Sequence, residues 1–238
     1  MNHATIEYLN AINCQFYETT AADFDQTRGR AWAGWQKLGD YLQAPLSVLD
    51  PGCGNGRFGL FLAETLAGQI DYHGIDSNAQ LLRYAQNTLE AIENISATLT
   101  EQDIITEALR AEEYDLVVLF GVIHHIPGAE NRKSFMKDLA QHVKSGGILC
   151  FAAWRFYEYE RFRERLVDWD EAIQVEQHDY LLDWRRGEQA LRYCHYVDDA
   201  EHQQLIAATG LTEITTYRAD GSDNVMNCYT VLRRGSDS

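Results

Sequence analysis

Proline is nearly missing from this chain, with three in 238 residues, and no Gly/Ser-rich tract marks a linker. No segment repeats at the spacing of a solenoid or propeller. These absences leave one domain over residues 1–238, with residues 1–45 read as N-terminal helices and 155–190 as a variable insertion or lid. No hydrophobic run approaches the roughly 18 residues that span a bilayer. The start "MNHATIEYLNAINCQFYETT" lacks a basic segment leading into an apolar one. The expectation is a soluble, cytoplasmic protein with no membrane partner. Five cysteines, at positions 14, 53, 150, 194 and 228, are odd in number and never form CxxC, which argues against a disulfide framework and a zinc site. Basic residues are scarce too: 20 Lys and Arg stand against 36 Asp and Glu, for a net charge of −16. Such a chain repels polyanions at long range, so DNA is not an expected partner and a broad RNA surface is not the default.

What is present is a strong alternation of two periodicities. Apolar residues recur at helical spacing from Ile6 to Phe24 and from Arg30 to Leu42. Then "LSVLD" reads as a buried strand, "RFGLFLAETLA" as a helix, "IDYHGID" as a strand and "NAQLLRYAQNTLEAI" as a helix. "SATLTEQD" is a weaker strand, "IITEALR" a short helix, "YDLVVLFGVIHHI" a strand running into a loop, "NRKSFMKDLAQHV" a helix and "GGILCFAAW" a strand. Strands that alternate with helices predict crossover units and a parallel sheet covered on both faces. Tyr157 to Arg186, dense in aromatic and charged residues, reads as a helix or an insertion lying over that sheet. "DDAEHQQLIAATG" reads as a helix with an aspartate cap and a glycine stop. The last two alternating runs, around Asp220-Gly221-Ser222, read as an antiparallel hairpin.

The stretch "LSVLDPGCGNGRFG" places four glycines within eight positions after an apolar run. In an open parallel sheet ligands bind beyond the carboxyl ends of the strands, and glycines there let a ligand meet the backbone. No lysine stands in the loop, which removes a P-loop. "GNGRFG" formally satisfies the dinucleotide pattern GxGxxG, a weak signal alone. Asp76 at the end of the second strand is placed to accept from ribose hydroxyls, as both NAD and S-adenosylmethionine require. Asp103, after the third strand, can accept from an adenine amino group.

With Asp50-Pro-Gly-Cys-Gly-Asn-Gly56, Asp76, Asp103 and the Gly-Gly turn before the fifth strand in place, the chain resembles the class I S-adenosylmethionine-dependent methyltransferases. That resemblance covers essentially the whole chain. It implies a Rossmann-like, doubly wound α/β fold: seven strands in the order 3-2-1-4-5-7-6, the last antiparallel, with helices on both faces. It also implies S-adenosyl-L-methionine as cofactor, no metal, and a cofactor site of Asp50, Gly52, Cys53, Gly54, Asn55, Gly56, Asp76, Ser77, Gln102, Asp103, Ile104 and Phe120. Gly59 is then a helix-packing residue against the first strand, and Pro51, where a branched aliphatic residue is commoner, a small departure.

Three further segments are similar to the tRNA wobble-uridine methyltransferases that esterify 5-carboxymethyluridine. The matching positions are Phe24, Thr27, Arg28 and Trp32; Arg192, Tyr193 and His195, with Cys194 replacing a tyrosine; and Asn227. A carboxylate acceptor has a pKa of roughly 4 and needs no general base. It needs a forked cation to orient it, for which Arg28 and Arg192 are the candidates. His195, His125 or His124 would matter for a phenol or amine acceptor. Each residue also has a structural reading: Arg28 as a solvated cation, Trp32 and Trp35 as core, Arg192 and His195 as anchors of the last helix. His124 and His125, adjacent in sequence, are not expected to share one face. The net acidity leaves two acceptors open, a tRNA approached with a small protein partner or a small-molecule O- or N-acceptor, and a non-catalytic cofactor-binding regulatory module remains as the reading of another class.

Overall fold

A computed structural model of the chain describes residues 1–27, 29–185 and 188–236. Two helices lead, α1 (His3–Thr27) and α2 (Ala33–Leu38). The alternating region follows as β1 (Leu46–Pro51), α3 (Arg57–Thr65), β2 (Ile70–Asp76), α4 (Ala79–Leu89), β3 (Ile95–Glu101), β4 (Tyr114–Phe120), α5 (Ala129–Gln141) and β5 (Val143–Trp154). An inserted segment carries α6 (Glu160–Arg163), β6 (Leu166–Val167), β7 (Asp179–Trp184) and β8 (Ala190–His195). The chain closes with α7 (Asp199–Thr209), β9 (Thr212–Ala219) and β10 (Asn227–Arg233).

The main sheet runs β3-β2-β1-β4-β5-β10-β9, which is the expected order with the three inserted strands counted. β1 pairs in parallel with β2 (Leu49 opposite His73) and with β4 (Val48 opposite Leu116). β10 is antiparallel to both β5 and β9. The side-chain period of two divides the apolar content between the faces. Val48, Leu116, Val118, Cys150 and Tyr229 join one core layer with Trp35, Phe58 and Leu82 from α2, α3 and α4. Leu49, Val117, Leu119, Leu149 and Phe151 join the other with Met136 and Leu205 from α5 and α7. Both faces are therefore dry, and polar chemistry is left to the strand ends. Among the described residues no helix is long and apolar enough to cross a membrane.

One expectation is corrected. "IITEALR" forms a turn rather than a helix: the Asp103 carboxylate accepts the Ile105 N–H, and the Thr106 and Glu107 amides return to the Asp103 carbonyl. Seven residues closed this way stop short of helix nucleation. Of the two readings of the segment 157–186, the insertion holds and the helix does not: within its described residues α6 is its one α-helix, beside a 3₁₀ turn over Phe156–Glu158, and it contributes to an antiparallel sheet, β6-β7-β8. Tyr157 and Tyr180 of this segment, with Trp154, pack against a separate small core of Phe156, Leu182 and Cys194.

α7 shows the predicted start and stop. The Asp198 carboxylate accepts the Glu201 N–H at 2.8 Å, and Gly210 ends the helix in a left-handed conformation. Asp198→Ala should lower global stability by about 1 kcal/mol, the usual worth of such a cap, measured by urea unfolding.

Candidate active site

At the carboxyl end of β1 the chain must turn sharply to enter α3. The Gly52 and Cys53 amides donate to the Ile75 carbonyl at 2.6 and 3.0 Å, tying the turn to β2. Gly52 has φ +77°, and a Cβ there would lie 2.2 Å from Val122 Cγ2. Only glycine permits both the dihedral and this approach. The Gly54 N–H donates to Asp76 Oδ2 and the Asn78 N–H to Oδ1, each at 2.9 Å, so Asp76 holds the loop as well as facing the space beyond it. Asp50 is buried and accepts from the Tyr72 hydroxyl at 2.5 Å. Burial pushes its pKa up to about 7, the Tyr72 hydrogen bond opposing and Asp76 reinforcing that rise.

Beyond the loop opens a cavity of about 890 Å³, within the range of small-ligand sites. One end holds Asp50, Asp76 and Asp103, all lining it. α1 roofs this end: Asn10 Nδ2 donates to Asp103 Oδ2 at 2.6 Å, and Asn55 Nδ2 reaches Asp25 Oδ1 at 2.8 Å.

The other end is aromatic and cationic. Arg192 on β8 is buried, its guanidinium 5.1 Å from the Phe16 ring centroid and 4.9 Å from that of Trp154. Its Nε has no hydrogen-bond partner, and the side chain makes no ion pair among the described residues. Next to it His125 is bracketed, Nδ1 lying 3.0 Å from the Tyr193 carbonyl and Nε2 3.0 Å from the Tyr17 hydroxyl. A carbonyl can only accept, so Nδ1 carries the proton toward Tyr193 and Nε2 accepts from Tyr17. Burial, aided by Arg192, lowers the His125 pKa to about 3, so the ring is neutral at physiological pH.

Residues 49–149 match a family model described as a methyltransferase domain. The chain carries a methyltransferase domain. It is 26% identical over 203 residues to a protein of Encephalitozoon cuniculi named as a methyltransferase, covering 85% of this chain and 83% of that one. It is 24% identical over 149 residues to the tRNA (carboxymethyluridine(34)-5-O)-methyltransferase of Schizosaccharomyces pombe, covering 63% of this chain and 60% of that protein. The chain spans 60% or less of the tRNA methyltransferases it matches, and about a third of several. Among solved structures, an S-adenosylmethionine-dependent methyltransferase of Methanosarcina mazei superposes with TM-score 0.68 at 17% identity, covering 84% of this chain and 98% of that one. The fold is thus that of the class I methyltransferases.

Of the residues expected to hold the methyl donor, all but Gly56 line the cavity of this methyltransferase. Gly56, at φ +74°, packs instead against α4: a Cβ would stand 2.9 Å from Ala85 Cβ. Gly59 likewise fits against Tyr72 of β2 rather than against β1. Arg28 lies outside the described residues, although its neighbours Thr27 and Gly29 line the cavity. Trp35 is core, as its spacing allowed, while Trp32 is partly exposed and lines the cavity.

His195 is a correction. Arg192 and His195 are three apart on β8, an odd spacing that sends them to opposite faces, and only Arg192 reaches the cavity. His195 is buried between Asp179 (2.7 Å) and Glu201 (2.6 Å), with Arg132 on the same Glu201. Burial opposes its charge, but these two carboxylates outweigh that and raise its pKa. His125 lines the cavity, but its hydrogen bonds make it a bracket joining α1 to β8 rather than a base. The adjacent histidines do come together, corrected by a 3₁₀ turn over Ile123–His125 that sets their ring centroids 4.2 Å apart. With Cys194 their ligating atoms lie within 4.8 Å of one another. Both nitrogens of His125 are already engaged, however, and the nearby Arg192 cation opposes a metal ion.

Asn10, Asn13 and Tyr17 also line the cavity, positions that sequence reasoning missed. Their signal was present: polar residues at i, i+3 and i+7 along one stripe of an amphipathic helix. Two outcomes test the cofactor end. Asp76→Ala should abolish S-adenosylhomocysteine binding in calorimetry, because it removes both a ligand group and the anchor of the loop. In the cofactor-free protein, the native Asp50 retains a proton that the unfolded chain has lost between about pH 4 and pH 7. Its contribution to stability therefore falls as pH rises through that window. Asp50→Asn, which mimics the protonated form, should gain relative to wild type from pH 5 to pH 8 in urea unfolding. A pH-independent difference would contradict the assignment.

Proposed function

We propose that this methyltransferase esterifies a carboxylate, that of a modified uridine in tRNA. The carrying observation is Arg192, a buried guanidinium in the cavity without a carboxylate partner among the described residues. A buried cation without an anion is costly, and stacking on Phe16 and Trp154 offsets only part of that cost. A substrate carboxylate supplies the missing charge in a forked, two-bond geometry. The name of the fission-yeast relative supports the choice of a carboxymethyluridine.

The residues at the acidic end fit S-adenosylmethionine. A sulfonium and an ammonium favour a site rich in carboxylates, and an ammonium beside Asp50 would restore the charge that burial suppresses there. When bound, that cofactor supplies an electrophilic methyl group and leaves as a neutral thioether. One carboxylate oxygen forms the new O–C bond as the S–C bond breaks, and no proton moves. The chain's own work is positional. Arg192 orients the acceptor, Asp76 and Asp103 hold the donor, and α1 with His125 keeps the two ends in register. A neutral His125 suits a reaction that asks for no base.

Arg192→Gln should lower single-turnover methyl transfer on the order of a hundredfold while S-adenosylhomocysteine binding stays near wild type. Radiolabelled product from bulk tRNA should release its methyl group in mild base, as an ester does. A base-stable product would refute the carboxylate, and absence of transfer under single-turnover conditions would favour a binding module.

A further inference from the structure

Arg192 carries the proposed chemistry, yet no ion pair among the described residues fixes its guanidinium, so its place depends on the strand that bears it. β8 lies against β7, with Arg192 opposite Leu182 and His195 opposite Asp179. Part of the hold on β8 is through its backbone: the Tyr193 amide donates to Asn13 Oδ1 at 3.0 Å, and its carbonyl accepts from His125. The rest is on the face turned away from the cavity, at His195.

His195 is buried, and each of its ring nitrogens meets a carboxylate: Nδ1 lies 2.7 Å from Asp179 Oδ1 and Nε2 2.6 Å from Glu201 Oε2. An ionised carboxylate only accepts, so both nitrogens donate and the ring is an imidazolium. Asp179 Oδ1 also accepts from the Tyr193 hydroxyl at 2.8 Å, while Oδ2 accepts the Glu176 N–H. The cation therefore joins β8 to β7 through Asp179 and to α7 through Glu201. A second donor stands at the same nitrogen. Arg132 Nη2 of α5 is 3.0 Å from Nε2, and Arg132 Nε is on Glu201 Oε1 at 2.7 Å. Arg132 can donate to Nε2 only when that nitrogen has no proton. The site thus has two complete bonding states, one in which Nε2–H bonds Glu201 and one in which Nε2 accepts from Arg132.

We propose that the charged His195 is a positioning residue for the acceptor: it pins β8 between β7 and α7 with Arg192 in the cavity, and loss of the Nε2 proton releases the strand from α7. This rests on the proposed role of Arg192, but it concerns how that residue is held rather than what it binds. Burial opposes the charge on His195, and Asp179 and Glu201 outweigh it, so the proton is kept above the ordinary histidine range. Arg192 is therefore held in place below the raised pKa and loosened as pH rises through it. Burial pushes the neighbouring Cys194 up to about 11 and Tyr193 well above the ordinary tyrosine range, and it lowers His125 to about 3. Burial opposes the charge of Glu201 as well, but His195 and Arg132 hold it down to about 2. Further ionisable groups stand at one remove: Glu176, 3.6 Å from Arg132, pairs with the Met1 amine, and His178 faces Asp198 at 3.6 Å.

The test is a pH titration by NMR of the full chain with S-adenosylhomocysteine bound, following the histidine Cε1–H and arginine Nε–H signals. His195 and Arg192 are assigned by their loss in H195Q and R192Q. In wild type His195 should titrate above its ordinary value of about 6.5, and the Arg192 signal should move with the same midpoint. Glu201→Gln should lower that midpoint by about one pH unit and carry both signals with it. H195Q should leave the Arg192 signal flat over the range, and H178Q should change neither signal. In methyl transfer to bulk tRNA at saturating S-adenosylmethionine, the acceptor KM should rise about tenfold from about pH 6.5 to about pH 9 while kcat changes less, and H195Q should show the higher KM throughout. Calorimetry with S-adenosylhomocysteine shows that each variant is folded, and E201Q keeps the test decisive if H195Q is not. An Arg192 signal that ignores the titration of His195, or a His195 that titrates at or below its ordinary value, would overturn the positioning role. So would an H195Q variant with the wild-type KM profile. Absence of cofactor binding by wild type, or of transfer at every pH, would instead count against the proposed function, with the two NMR signals still deciding the anchor.

Discussion

A parallel sheet that buries both faces has one place for polar chemistry, the crest where strands end and helices begin. The split of Val48, Leu116 and Val118 to one core and Leu49, Val117 and Leu119 to the other leaves no dry face free for a ligand. Asp50, Asp76 and Asp103 stand at successive strand ends for that reason, and the glycine turn is tied to the same crest by the Ile75 carbonyl and the Asp76 carboxylate. The loop is shaped by backbone contacts of about 3 Å, which substitution at Gly52 cannot respect.

Built on that crest, the cavity is lined by charges of both signs. Carboxylates occupy the end by the glycine turn, where burial raises the Asp50 and Asp76 pKa values and so favours a cationic ligand. Arg192 with the Phe16 and Trp154 rings lines another part, where Asp183 and Asp220 also contribute, and Arg57 acts on Asp50 at the glycine turn. α1 spans the cavity through Asn10 on Asp103, Asn13 on the Tyr193 amide and Tyr17 on His125. The insertion after β5 brings Arg192 to the cavity on a strand whose other face is locked by Tyr193 and His195 onto Asp179.

The alternation of strands and helices and the glycine turn were legible in sequence because they depend on local periodicity and on a short motif at fixed offsets, and the strand order followed from the resemblance that those motifs carry. The segment was legible as an insertion but its small sheet was not, because its charges and aromatics alternate without a clear period and its strands are held by packing against Trp154 and α1. His195 was misassigned for a related reason: proximity in sequence to Arg192 says nothing about sides until the segment is known to be a strand.

Sequence alone determined the class of fold, the methyl-donor motifs and a net charge of −16. Only the tertiary structure decided which charges are spent on each other. Ion pairs such as Arg132 with Glu201 join residues far apart in the chain, whereas Arg192, buried in the folded cavity, forms no ion pair among the described residues. Local pattern specifies secondary structure, but Coulomb pairing acts through space, and the distances it depends on are set by packing.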